Sequence, residues 1–173
     1  MSQPTFLCSN HMRLLKQSPY KALEVYKRSL YEGQLRFQAG EVTRAKDCFG
    51  AALNSAEIIL EAGIIDPISA VNHLITSTIF LSTSLNKLED NELGKFYLVS
   101  ARHHIDTLIH SLHPTAQLRH YLTECIAALD MTHKTLFKSW SHAEQFETLN
   151  ASYQHQGNSA YDVKVNNVMP TLH

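Results

Sequence analysis

Apolar residues recur at helical spacing along five long stretches, and four of them end in a recognisable turn. Leu23, Tyr26, Leu30 and Phe37 follow one another at three-, four- and seven-residue steps and predict a helix over residues 19–39, stopped by Gly40. The Gly40-Glu41 turn opens a second helix over 43–62, closed by Gly63. Two helices joined by so short a turn must fold back on each other. Asp66-Pro67 opens a third, ending near Lys87. The polar turn Leu88-Glu89-Asp90-Asn91 leads into a fourth over 92–111, with Leu93, Phe96, Val99 or Ser100, and His103 or His104 on successive turns. Pro114 heads a fifth, patterned by Leu118, Leu122, Cys125 or Ile126, Leu129, Thr132 or His133, Leu136 and Trp140, and running to about Phe146.

Pro19, Pro67 and Pro114 stand 48 and 47 residues apart, each at the head of a patterned stretch. Proline lacks an N–H that the first helical turn does not need, and its fixed φ suits a helix start. The three therefore mark equivalent beginnings in a repeat of about 47–48 residues. Ser18 and Asp66 are placed to cap two of them. The fold class that follows is all-α: two antiparallel helical hairpins plus a C-terminal capping helix that covers the last hairpin. Residues 1–17 form a lead-in with a short helix around 12–16, residues 18–149 the helical domain, and 150–173 a polar tail with too little apolar surface to bury. In that tail Tyr161-Asp162-Val163-Lys164-Val165 alternates as a strand would, so it is either flexible or able to dock in a groove.

A chain of 173 residues buries roughly 70% of its unfolded surface and can sustain one core without staples. Fifteen basic residues against sixteen acidic leave a formal charge of −1, so no overall field draws in nucleic acid or anionic membranes. Residues 67–86 carry no formal charge and approach membrane-spanning length, but Asn72, His73 and seven Ser or Thr residues interrupt them, as in a buried central helix. Cys8, Cys48 and Cys125 are an odd, scattered set with no CxxC pair and read as reduced thiols. With no secretory pattern at the start, a cytoplasmic address is expected, and Asn150-Ala151-Ser152 matches a glycosylation acceptor by chance.

Gly33, Gly40, Ala45, Phe49 and Ala52 stand at the offsets of the tetratricopeptide repeat, where small residues let paired helices approach and an aromatic fills the space between them. In the same register the second hairpin has Ser82, Glu89, Gly94, Leu98 and Ala101. Over about residues 19–140 the chain thus resembles that family, and its layout is similar to small uncharacterised bacterial tetratricopeptide-like proteins. It departs from the family at Ser29 and Thr78, where an aromatic is usual, and in a repeat longer than about 34 residues. Size and repeat class also resemble the two-hairpin chaperones of type III secretion translocators. Ser18-Pro19-Tyr20-Lys21 with Leu30-Tyr31-Glu32-Gly33 looks like the opening of flagellin export chaperones, a pattern the rest of the chain does not follow.

The resemblance implies that the first helix of each hairpin lines a concave side, with Lys27, Leu30, Gln34, Phe37 and Gln38 in one unit and Thr76, Ile79, Thr83, Asn86 and Lys87 in the next. The Lys and Asn clamp that some relatives use for acidic C-termini is replaced by Leu30 with Gln34 and Ile79 with Thr83. A mixed apolar and amide surface suits an extended or helical peptide. Leu30, Phe37 and Ile79 equally suit a core. Of His103, His104, His110 and His113, His103 and His110 share a face but stand seven apart, where a metal shell wants three or four; His110 and His113 have that spacing but straddle the helix end, near which imidazoles are favoured anyway. His73 is either a hydrogen-bonded core histidine or a polar anchor, and Trp140 with Phe137 and Phe146 either seals the core or anchors a partner. No acid pair, phosphate loop or nucleophile-base grouping stands out. The expectation is a non-enzymatic adaptor or chaperone-like module, without cofactor or metal, that binds a protein or peptide. A self-associating dimer is the alternative.

Overall fold

The computed structural model describes residues 6–111 and 114–137. Among them are six helices and no strand: α1 (Ser9–Gln17), α2 (Pro19–Gln38), α3 (Val42–Ala62), α4 (Pro67–Lys87), α5 (Asn91–Ser111) and α6 (Ala116–Phe137). Expectations for Trp140, Phe146, His113 and the 150–173 tail lie outside the described residues.

Each of the middle helices packs on the next in chain order, and α6 also reaches back to α4. The α2 helix ends in the same way as α4. Gly40 N–H donates to Phe37 O (3.1 Å) and Glu41 N–H to Arg36 O (2.9 Å); 49 residues on, Glu89 N–H donates to Asn86 O (3.1 Å) and Asp90 N–H to Leu85 O (3.0 Å). Both are the paired bonds of a Schellman stop, which needs a left-handed residue. Gly40 supplies it with φ 80° and Glu89 with φ 62°. The following helices open in register as well, since Ala45 N–H bonds to Glu41 O and Gly94 N–H to Asp90 O.

The third helix start departs from expectation. Pro114 lies two residues before α6, which begins at Ala116. Thr115 Oγ1 accepts from Leu118 N–H (3.3 Å) as Asp66 Oδ1 accepts from Ser69 N–H (2.9 Å), again 49 residues apart. The 47-residue proline interval therefore counts to a residue ahead of the cap. The 48-residue interval between Pro19 and Pro67 is genuine, because α2 has 20 residues and α4 has 21. Ser18 does not cap α2 with its side chain; its N–H closes α1 instead, on Leu14 O and Leu15 O. The lead-in helix is longer than residues 12–16.

The core comprises three clusters, centred on Tyr26 and Ile59, on Phe49, Leu81 and Tyr97, and on Leu98, Leu122 and Leu129, with Leu60 packed against all three. The α4 helix threads through them. It is the one described helix long and apolar enough to cross a membrane, yet Val71, Leu74, Leu81 and Leu85 are buried by its neighbours. Its hydroxyls can be buried because each bonds to a backbone carbonyl: Thr78 to Leu74 O (2.8 Å), Ser84 to Phe80 O (2.9 Å), Ser77 to His73 O (2.8 Å) and Ser82 across to Gly94 O (3.1 Å).

Candidate functional site

The residues assigned to a groove lie on α2 and α4, which the fold joins by two contacts. Towards the N-terminal halves, the Tyr26 and His73 rings stack at 4.0 Å with 16° between their planes. At the C-terminal ends, Lys87 Nζ stands 4.3 Å from the centre of the Phe37 ring. Gln34 lies between these ties on α2, and Thr76 and Thr83 lie between them on α4. All three are half-buried, while Lys27 and Gln38 are exposed.

Several of these residues serve the fold. Phe37 packs on Phe49 (6.3 Å between centroids), which stacks on Phe80 (4.9 Å). Asn86 Nδ2 donates to Asn91 Oδ1 (3.0 Å) and to Leu136 O (3.1 Å), tying the end of α4 to α6. Thr83 Oγ1 donates back to Ile79 O (2.7 Å). Leu30, Phe37 and Ile79 are partly buried against the core clusters.

Burial is the larger cause holding His73 below the usual imidazole range, followed by the Lys27 charge, with Asp66 partly opposing them. The ring is thus neutral at pH 7 against Tyr26, whose hydroxyl burial pushes up to about 12. Burial likewise raises the Cys125 and Cys48 thiols, which disfavours reactive thiolate at either site. Among the described residues no three His, Cys, Asp or Glu side chains gather closely enough to hold a metal. His110 instead meets the backbone carbonyl of Asp106 (2.7 Å).

Two features carried weaker sequence signals. An open cleft of about 400 Å³ separates α1 from α2, lined by His11, Leu14, Lys21, Glu24 and Arg28 among others. On α3, Gly50 and Asn54 hold the Phe6-Leu7 segment that precedes α1. A glycine and an asparagine four apart within a helix were the visible sign, since neither favours a helix interior.

Searches of protein-family models, curated proteins and solved structures find no match to this chain.

Proposed function

We propose that the chain is a non-enzymatic, tetratricopeptide-like adaptor that works in the cytoplasm and binds a protein segment along the shared side of α2 and α4. The observation that carries this reading is the 49-residue recurrence of stop, turn and start hydrogen bonds. It supports reading α2, α4 and α6 as equivalent first helices, and a helical array of that kind would offer one side-chain row per first helix to a ligand. Gln34, Thr76 and Thr83, between the Tyr26–His73 and Phe37–Lys87 ties, would provide amide and hydroxyl groups for a peptide backbone. Lys27 and Gln38 would stand at the rim, with Phe37, Asn86 and Lys87 as framework. A rigid frame lowers the ordering cost of binding. The three free thiols suit a reducing compartment.

The test is affinity capture from native lysate with the intact chain and with a Lys27→Glu, Gln34→Glu, Thr83→Glu variant of matched thermal midpoint. The adaptor reading expects a protein held by the first and lost by the second; identical captures would contradict it.

Self-association is favoured by a separate observation. Tyr20, Tyr31 and Leu35 share one face of α2 and are 71%, 63% and 45% exposed. Light scattering across concentration tests it: a mass of 19.6 kDa throughout would rule it out, and a Tyr31→Glu variant should dissociate any dimer formed through this face.

A further inference from the structure

The Phe6-Leu7 segment occupies a slot whose construction exceeds what helix packing requires. Asn54, 2% exposed, turns its Oδ1 to accept two successive backbone N–H groups, from Phe6 (3.0 Å) and Leu7 (3.3 Å), and its Nδ2 donates to Glu57 Oε2 (3.4 Å). The Phe6 ring lies over Gly50, so close that a methyl group there would fall 2.0 Å from Phe6 Cγ. Tyr97 of α5 lies beside the same ring, tilted by 42°, with 6.1 Å between ring centroids. The segment bends there, which lets two successive N–H groups reach one oxygen, so the slot reads main chain through one buried amide and side chain through one aromatic notch.

The repeat itself does not call for these residues. One unit later, 49 positions on, stand Val99 and His103. Gly50 and Asn54 each disfavour the helix they sit in. Both are accounted for by the segment they hold.

What covers the slot is lightly attached. The α1 helix fully buries one side chain, Leu15, with Met12 partly buried beside it, has no side-chain cap and leaves an open cleft along its junction with α2. Its ion pair to α3, Lys16–Glu61 at 3.3 Å, joins two side chains that are each about half exposed and so contributes little. Only Ser18 lies between α1 and α2.

We propose that the Gly50–Asn54–Tyr97 slot is a second, exchangeable peptide-binding site, independent of the α2/α4 surface. Its ligand is a bent protein segment carrying an aromatic residue followed by an apolar one, and Phe6-Leu7 is the built-in competitor. A partner segment of this chemistry displaces the arm, and α1 moves away with it.

The probe is a fluorescent peptide of residues 3–12 of this chain with Cys8→Ser, titrated against the wild-type chain, Phe6→Ala, and Phe6→Ala with Gly50→Ala. Removing the competing ring should tighten binding at least about tenfold relative to wild type, because the open state becomes the populated one. Filling the notch at Gly50 should abolish binding, as should alanine in place of the peptide's own phenylalanine. Equal affinity for all three chains, or no binding to a Phe6→Ala chain of normal helicity, would overturn the proposal. Should Phe6→Ala fail to fold, amide exchange on the wild-type chain decides. Excess peptide should accelerate exchange at Phe6 and Leu7 while leaving α3 unchanged, and unaltered protection at those two amides would overturn it.

Discussion

The two hairpins solve the same packing problem with different residues. In the first, Gly33 of α2 makes room for Phe49 of α3: a methyl group at Gly33 would fall 2.6 Å from Phe49 Cε1. In the second, the equivalent positions are Ser82 and Leu98, and the small residue has moved across to Gly94 of α5, whose carbonyl accepts from Ser82 Oγ. The space beside Gly94 is taken by Phe137 of α6, 2.7 Å from where a methyl group would sit. Close approach of two helices thus needs a small residue and a ring to fill the remaining volume, and the ring can come from the partner helix or from the next one along. The following interfaces differ in kind. Phe49 and Phe80 stack between α3 and α4, whereas the positions 49 residues later are Leu98 and Leu129, both fully buried. Core residues Leu53 and Leu81 are replaced there by Arg102 and Asp130, which form an ion pair at 3.2 Å. The first interface lies in the middle of the stack, where Leu53 and Leu81 are buried; the second can admit charge because Arg102 and Asp130 are still partly exposed.

The largest effect should come from removing the ring that has no substitute. Phe49→Ala is expected to cost about 3–5 kcal/mol in urea unfolding, since it empties a site shared by α2, α3 and α4. A loss below about 1 kcal/mol would mean that the first hairpin does not depend on it. Next, Gly33→Ser gives the first hairpin the residue of the second and should cost about 1–3 kcal/mol by overpacking against Phe49. The turns give a smaller and opposite pair. Glu89→Gly should stabilise by up to about 1 kcal/mol and Gly40→Ala destabilise by a similar amount, because both positions hold a left-handed φ. Thermal midpoints that move in the same direction would break the equivalence of the two turns.

The smallest is a pH effect at the Tyr26–His73 tie. His73 has its folded pKa below the ordinary value near 6.5, so folding favours the neutral ring. Its share of stability is complete above about pH 6.5 and declines as pH falls through the unfolded value towards the folded one. A His73→Gln chain should therefore lose less stability than wild type between pH 7.5 and 5.5, as measured by urea midpoints. An equal loss in both would remove His73 from that role.

The features legible in the sequence are those set by local chemistry. Gly40, Gly63, Asp66 and Pro67 end or begin helices through their own backbone or side chain, and the structure places each boundary within a residue or two of its expected position. Pro114 misled because a proline just ahead of a helix resembles one at its first position, and only the Thr115 cap distinguishes them. On the candidate surface, Gln34, Thr76 and Thr83 were placed by the family resemblance alone, and their half-burial emerges from the structure. The internal engagement of Asn86 with Leu136 O and of Lys87 with Phe37 was not legible. Both depend on how far one helix end overhangs another, which a single residue of helix length decides. The arm in its slot was least legible, since a short bent segment has no helical period and its main partner is 48 residues away.

A small residue and a ring face each other across α2 and α3 and so set the hairpin. The most direct measurement is the double-mutant cycle of Gly33→Ser and Phe49→Leu, which together convert the first hairpin to the residues of the second. The account predicts that the double variant is more stable than the sum of its parts by at least about 1 kcal/mol, because leucine leaves room for the serine. Strict additivity would contradict it, since the two positions would then not share the space that the repeat is built around.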